Sequence, residues 1–538
     1  MFTARSGYTI GESVFLLALS LVAVLSVSPY NSLLLDGQIT AKWIGAGILF
    51  CITVISVQII SVCSRKDGVR FAFSIRLFAM PFLIAGLMVI VHSILQLTGI
   101  VSIQSENGFL VLAGFDNPAG VAASLTVSLP FTLALVDKVK DRVIKNVVLF
   151  GICVVVMIIL TIARSRVGVL ASGTVLLLYF LHTLKDIKTR KIIAVLLSLL
   201  VLSAIVFMSF SKRGSNSGRM LILSVCWDMF KDAPFFGHGL HGFRSQYMLY
   251  QANFLDQCTN NVLPILADNT THPLNEYALL TVNFGLIGIA TLLFGIILTI
   301  MHYFKNPSNE SFVGMMVIAG ISILSMFSYP FRYPLTVIGL LCALLLVYKD
   351  MFLETSHTTM IVIRSITATM SALGLFLIIT WANYQIQWSK LSFVSDNGYD
   401  KMVLIQGYNN IYPKLKKDPF FLYNYAYILS ENGECEKAGN MATKSFNLMA
   451  NYDTALLIAD NAKECGDVQV AEEYYRLASR MCPVRFMPLY CLFCLYKDLD
   501  RIEDMREIGK VILSKPVKIS SNEIRTIRSY VKQALINF

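Results

Sequence analysis

Four arginines and a few histidines are the residues of this sequence best suited to chemistry. Arg164 and Arg166 stand in "TIARSRVGVLAS", Arg219 opens "GRMLILSVCWDMFKDAPFFGHG", and Arg332 interrupts "SYPFRYP". A guanidinium keeps its charge and presents a planar fork of donors that fits phosphate or carboxylate. Near a membrane it is costly unless it meets water, an acid or an anion. His272 lies in the polar run "DNTTHPLNEYALL", close to Asp268, Asn275 and Glu276, and His238 and His241 share "GHGLHG". A neutral imidazole there can accept a proton from a hydroxyl. Each residue also has a plain reading: an isolated arginine snorkels to the interface, and a loop histidine is usually structural. A metal site built from His238, His241 and His272 lacks helix-spaced histidines or a compact carboxylate cluster, so no metal or other cofactor is expected.

The elements that must position these residues are membrane spans. Of the 538 residues, 55% are hydrophobic and only 15% charged, too apolar for a soluble protein of this size. Runs long enough to cross about 30 Å of hydrocarbon as helices occupy 9-27, 43-62, 77-97, 119-136, 147-163, 167-184, 192-210, 277-300, 312-329, 334-348 and 358-381. The first has no small-residue cleavage site and reads as a retained span. The expectation is an all-α, polytopic membrane domain at 1-381 of about eleven spans, with a large loop at 211-276, followed by a soluble domain at 382-538.

The net charge of +11 does not imply nucleic acid, because its excess sits in short loops. Segments 63-76, 137-146 and 183-191 carry four Lys or Arg each, whereas 98-118 has none. By the positive-inside rule the basic loops are cytoplasmic. The loops at 28-42, 98-118, 164-166, 211-276 and 330-333, and the tail, then lie outside. All four arginines and His272 fall on that outer face, which argues for an anion site there. The stretch with Trp227, Phe230 and Phe235 is amphipathic and suited to the outer membrane surface. His92 and Gln96 are isolated polar residues within a span.

From about 418 the chain repeats with a period near 33. "CEKAGNMATKSF", "VQVAEEYYRLAS" and "IEDMREIGKVIL" place Ala438, Ala471 and Met505 at equivalent positions, each block preceded by another helix-length apolar stripe. Helix, turn, helix at this spacing resembles tetratricopeptide repeats. Such an array offers either a docking surface for a partner or a lid that packs on the rest of the chain. The eleven cysteines show no metal spacing and cannot all pair, and "CLFC" at 491-494 reads as core packing rather than a redox pair.

At these motifs the chain resembles the O-antigen ligase and polymerase superfamily, which includes bacterial protein O-oligosaccharyltransferases. "GFDNPAGVAASL" with Asn117 is similar to its Gly-x-x-Asn-Pro segment, and "ARSRVGVLA" to its Ser-Arg-x-Gly motif. The run from Arg219 through Trp227 to "PFFGHG" matches its arginine-to-Pro-x-x-Gly-x-Gly stretch, and "SYPFRYP" the Tyr-Pro turn of the protein-glycosylating branch. The family's His-Asn, nine residues, Gly-x-x-Gly signature is matched at Asn275, Gly285 and Gly288, but Leu274 stands where the histidine belongs. His272, two residues back, is then the candidate catalytic histidine, with Glu276 and His241 as substitutes. The resemblance implies a GT-C-like membrane glycosyltransferase in the bacterial inner membrane, with its site and tail facing the periplasm. Its donor would be an undecaprenyl-pyrophosphate-linked glycan, held by Arg166 and Arg219, with Arg332 and Arg164 beside them. Its acceptor would be lipid A core sugar, a protein Ser or Thr, or another lipid-linked glycan, the last making it a polysaccharide polymerase. A flippase or transporter of lipid-linked sugars is the alternative of another class, and the sequence shows none of the internal symmetry expected of one.

Overall fold

The computed structural model describes residues 10-28, 31-63, 74-103, 108-184, 213-258, 262-354, 357-395 and 401-537, with 188, 192, 195, 196, 199 and 203 besides. Among them every regular element is helical. The chain divides into two compact units, one made of Met1–Ser211 with Leu293–Ile386, the other of Lys212–Leu292 with Gln387–Phe538.

The first unit is a helical bundle: α1 (Ile10–Val27), α2 (Thr40–Cys63), α3 (Ile75–Leu97), α4 (Pro118–Val136), α5 (Arg142–Ile162) and α6 (Arg166–Thr183), joined by the later helices of Leu293–Ile386. Among the described residues eight helices are long and apolar enough to cross a membrane, and two shorter apolar ones cover Glu12–Val27 and Pro334–Val347. The span expected at 192-210 lies outside the described residues apart from isolated positions. Helix α4 runs through the middle and is the most buried. Its sequence "PAGVAASLTVSLP" explains this, since lipid tails give apolar helices no reason to associate and small side chains let backbones approach closely. A Cβ on Gly168 of α6 would stand 2.7 Å from that of Ala122, and one on Gly86 of α3 would stand 3.3 Å from Ser128. Phe82 of α3 stacks on Phe131 of α4 at 4.2 Å.

The second unit begins with α7 (Arg213–Asp232) and α8 (Gly242–Asp256) and takes in the start of α9 (Glu276–Lys305). Helices α10 (Asn309–Phe327), α11 (Pro334–Val347) and α12 (His357–Ser395) follow. Helix α12 runs on past the break expected at 382, because no Gly or Pro interrupts residues 382-395. The repeats are α13 (Lys401–Leu415), α14 (Pro419–Glu431), α15 (Cys435–Leu448), α16 (Tyr452–Glu464), α17 (Val468–Met481), α18 (Met487–Asp498), α19 (Ile502–Ser514) and α20 (Asn522–Asn537). Asp418, Asn451 and Asp467 cap the starts of α14, α16 and α17, accepting backbone N–H bonds on their side chains. The recurring Ala438, Ala471 and Met505 are all fully buried between helices, which is why small or unbranched residues return there.

The repeats hold residues of the 212-292 segment. Leu221, Val225, Met229, Phe243, Tyr247 and Leu255 share one core with Ala442, Phe446, Tyr452, Ile458, Ala478 and Met481. Gln251 of α8, fully buried, donates to the carbonyls of Met481 at 2.8 Å and Asp268 at 3.1 Å, and accepts the Tyr247 hydroxyl at 3.0 Å. Arg480 pairs with Asp256 at 2.9 Å and Arg485 with Asp268 at 3.0 Å. The amide of Asn269 donates to Asn451 and Asp453.

Candidate functional site

In the bundle, Arg332 closes a 3-10 turn, Pro330–Arg332, just ahead of α11. Its guanidinium meets Asp116 at 3.1 Å, and the buried Tyr333 hydroxyl donates to the other Asp116 oxygen at 3.2 Å. Trp43 donates its indole N–H to the Arg332 carbonyl at 2.9 Å. The loop bearing Asp116 is itself pinned: Gln96 accepts the N–H groups of Leu112 and Ala113, both at 2.9 Å, and Lys42 donates to the carbonyls of Gly114 at 2.7 Å and Gln38 at 2.6 Å. The Lys42 ammonium also stands 5.0 Å over the Phe115 ring. A fully buried lysine needs such partners, since an unpaired charge in an apolar interior is too costly to keep. Lys42, Asp116 and Tyr333 were not singled out by sequence reasoning. Asp116, beside the Asn-Pro motif, was the one that adjacency could have flagged.

Asn117 accepts the Ala119 N–H at 3.1 Å as the N-cap of α4, with Pro118 in the first helical position. Its motif therefore builds the helix start that presents Asp116. Arg164, exposed and in the left-handed conformation (φ 55°), makes the tight link between α5 and α6. Ser165 caps α6 through Gly168, and Arg166, partly buried, opens that helix. The start of α4, the link before α6 and the turn before α11 share one end of the bundle: Tyr333 bonds Asp116, and Gly168 packs on Ala122.

In the second unit, His272 and Glu276 flank the start of α9. Asn275 accepts the Ala278 N–H at 2.9 Å and caps that helix, and Glu276 stands in its first turn. Leu274 takes the left-handed conformation (φ 56°), and its N–H donates to His272 Nδ1 at 2.9 Å. A neutral His272 therefore carries its proton on Nε2, the nitrogen that faces Glu276 at 3.8 Å. Both side chains are mostly buried, 22% and 14% exposed. The left-handed turn at Leu274 thus brings the histidine and the acid together in place of a His-Asn pair.

The two glycine motifs interlock. Helix α9 breaks at Gly285 (φ 60°), and residues 234-239 thread along the break, with Leu286 N–H donating to the Pro234 carbonyl at 2.8 Å and His238 N–H to the Val282 carbonyl at 2.9 Å. A Cβ on Gly285 would meet the Phe235 backbone at 2.5 Å, and one on Gly237 (φ 65°) the Asn283 backbone at 2.4 Å. Only glycine permits these conformations and this approach. Asn283 accepts the Phe243 N–H and donates to the Leu240 carbonyl. The His238 Nε2–H donates to the Met229 carbonyl at 2.7 Å, which anchors the loop, and His241 is exposed just ahead of α8. Arg219 is partly buried on α7.

Among the described residues no three His, Cys, Asp or Glu side chains gather as a metal would require. A disulfide, Cys435 to Cys465, joins the start of α15 to the end of α16, a pairing that no spacing motif announced. Cys491 and Cys494 are free thiols, and burial pushes Cys491 up to about 12 and Cys494 upward, opposite to a reactive pair.

Residues 149–293 match the family model of O-antigen ligases, Wzy_C. The matched stretch contains Arg164, Arg166, Arg219, His241, His272, Asn275 and Glu276. No curated protein matches the chain. Among solved structures, the crystal structure of yeast Tom70 aligns over 91% of this chain and 96% of that one at 10% identity, with a TM-score of 0.26. The likeness to O-antigen ligases read from the motifs is upheld over residues 149–293, in a chain with several helices long and apolar enough to cross a membrane.

Proposed function

We propose that this chain transfers a preassembled glycan from undecaprenyl pyrophosphate to an acceptor hydroxyl at the periplasmic face of a bacterial inner membrane, with inversion at the anomeric carbon. The observation that carries this reading is Arg332, anchored by Asp116 at the bundle end that also bears Arg164 and Arg166. In the reaction the bond from the anomeric carbon to the pyrophosphate oxygen breaks, and the electron pair leaves with the lipid pyrophosphate. Arg166, Arg219 and Arg332 would bind that anion and stabilise its growing charge, with Arg164 beside them. The acceptor oxygen forms the new bond as its proton leaves. With His272 Nδ1 engaged by Leu274, the proton acceptor is Glu276, and the Nε2–H of His272 positions the reacting oxygen.

Two features favour the outward orientation. The described basic link 137-146, between α4 and α5, lies at the end of α4 away from Asp116, and segments 63-76 and 183-191 are basic in the sequence. The Cys435–Cys465 bond in the repeats suits an oxidising compartment. The acceptor remains one of three: lipid A core sugar, a protein side chain, or another lipid-linked glycan. The repeats tilt the choice slightly towards a protein acceptor, because stacked helix pairs commonly grip polypeptide, while α15 and α17 also pack against α8 of the same chain.

Reconstituted protein supplied with a lipid-pyrophosphate glycan and each acceptor in turn tests the proposal. Acceptor-dependent release of undecaprenyl pyrophosphate is the expected result. Movement of the lipid between leaflets without release would instead establish a flippase.

A further inference from the structure

Helix α7 is apolar on two sides. Leu221, Val225, Cys226 and Met229 are buried in the core shared with α8 and the repeats. On its other side Met220, Leu223 and Trp227, spaced three and four apart, are 63%, 36% and 60% exposed, and the following loop adds Phe235, Phe236 and Leu240 at 64%, 76% and 66%. A row of this size left to water would be expensive, at about 25 cal/mol for each Å² of apolar surface.

The break in α9 sets the depth of this row. The carbonyls of Pro234 and Phe235 accept the N–H groups of Leu286 and Ile287 at 2.8 and 3.2 Å, so the loop is fastened to the residues just past Gly285. The break leaves 20 of the 30 residues of α9, Leu286 to Lys305, as continuous apolar helix. At 1.5 Å per residue these span about 30 Å, the thickness of the hydrocarbon layer. With the unbroken stretch 286-305 as the crossing segment in place of the expected 277-300, Gly285 marks one edge of that layer, and Phe235 and Phe236 sit at the boundary where aromatic rings concentrate. Phe284, Leu286 and Ile287 of α9 are exposed at the same level.

We infer that α7 and residues 233-241 form an in-plane membrane anchor, with Met220, Leu223, Trp227, Phe235 and Phe236 seated in the interfacial layer of the bilayer. Its partner is the lipid surface itself. Given the transfer reaction proposed above, the anchor has a consequence for Arg219, the residue next to Met220: its guanidinium is held at headgroup depth, where a lipid pyrophosphate lies.

The test compares the full chain with Trp227→Phe in vesicles, taking the difference in fluorescence as the Trp227 signal. Phospholipids brominated near the headgroup should quench most of that signal, whereas aqueous iodide should quench it several-fold less than it quenches free tryptophan. Quenching by iodide and not by brominated lipid would overturn the anchor. So would shielding from both, which would mark the face as a contact between two copies. The measurement reads depth and not turnover, so an inactive protein whose Trp227 is lipid-quenched sinks only the proposed reaction. An active protein whose Trp227 is iodide-quenched sinks only the anchor.

Discussion

Arg332 and Glu276 each stand at a helix start, Arg332 just ahead of α11 and Glu276 in the first turn of α9, yet the surroundings that hold them are of different kinds. Arg332 is fixed by partners within the bundle: Asp116 on its guanidinium, Trp43 on its carbonyl, and Lys42 and Gln96 behind the Asp116 loop. Glu276 has a looser partner, His272 at 3.8 Å, and the segment leading to it is fastened by a second domain through Gln251, Arg485, Asn451 and Asp453. Under the proposed transfer the difference separates two tasks. A rigid, pre-paired cation suits an anion that must be met in one geometry, while a pair with room between its members can close on a hydroxyl.

The comparison breaks most readily at Glu276. Glu276→Gln keeps the shape and removes the proton acceptor, so turnover should fall about a thousandfold, within the range of general-base losses. His272→Gln should fall less, about thirtyfold in keeping with a positioning role. Equal losses, or a larger one at His272, measured as initial rates of lipid pyrophosphate release, would return the base to the histidine. On the bundle side Arg332→Met should lower turnover about a hundredfold, as for a lost oxyanion donor, and Arg332→Lys should recover little because an ammonium cannot reproduce the fork. A lysine variant with near-normal rates would show that charge alone suffices at that position.

Much of the bundle is legible in the sequence because a membrane demands about 20 apolar residues per crossing, and the repeats because Ala438, Ala471 and Met505 return at one spacing. The turn at "ARSR" is legible for the same reason, as two spans leave no room for more. What escapes notice depends on contacts between distant residues or on a single backbone angle. Gln251 and Met481 are 230 residues apart, and nothing in "YQANF" marks its glutamine as the fastening of a domain. Nothing in the sequence singles out Lys42, whose two carbonyl partners lie on Gln38 and Gly114. Gln96, isolated within its span, proves to hold the loop that carries Asp116. The role of His272 turns on the N–H of Leu274, which reaches Nδ1 only because that residue adopts a positive φ.

The role of the repeats is sharpened by two milder substitutions that must be read together. Gln251→Met fills the same space without donors, leaving the carbonyls of Asp268 and Met481 unmatched. If the fastening positions Glu276, turnover should fall about tenfold, equivalent to about 1.4 kcal/mol, with the KM for the lipid donor unchanged. Cys465→Ser opens the bond between α15 and α16 and leaves the fastening in place. It should remove about 2–4 kcal/mol of stability, visible as a lower Tm of the repeats, with turnover at 25 °C within about twofold of the parent. A Cys465→Ser protein that loses as much activity as Gln251→Met would mean that the array serves by its bulk stability. The contrast between a self-contained bundle and a loop placed by a neighbouring domain would then have to be given up.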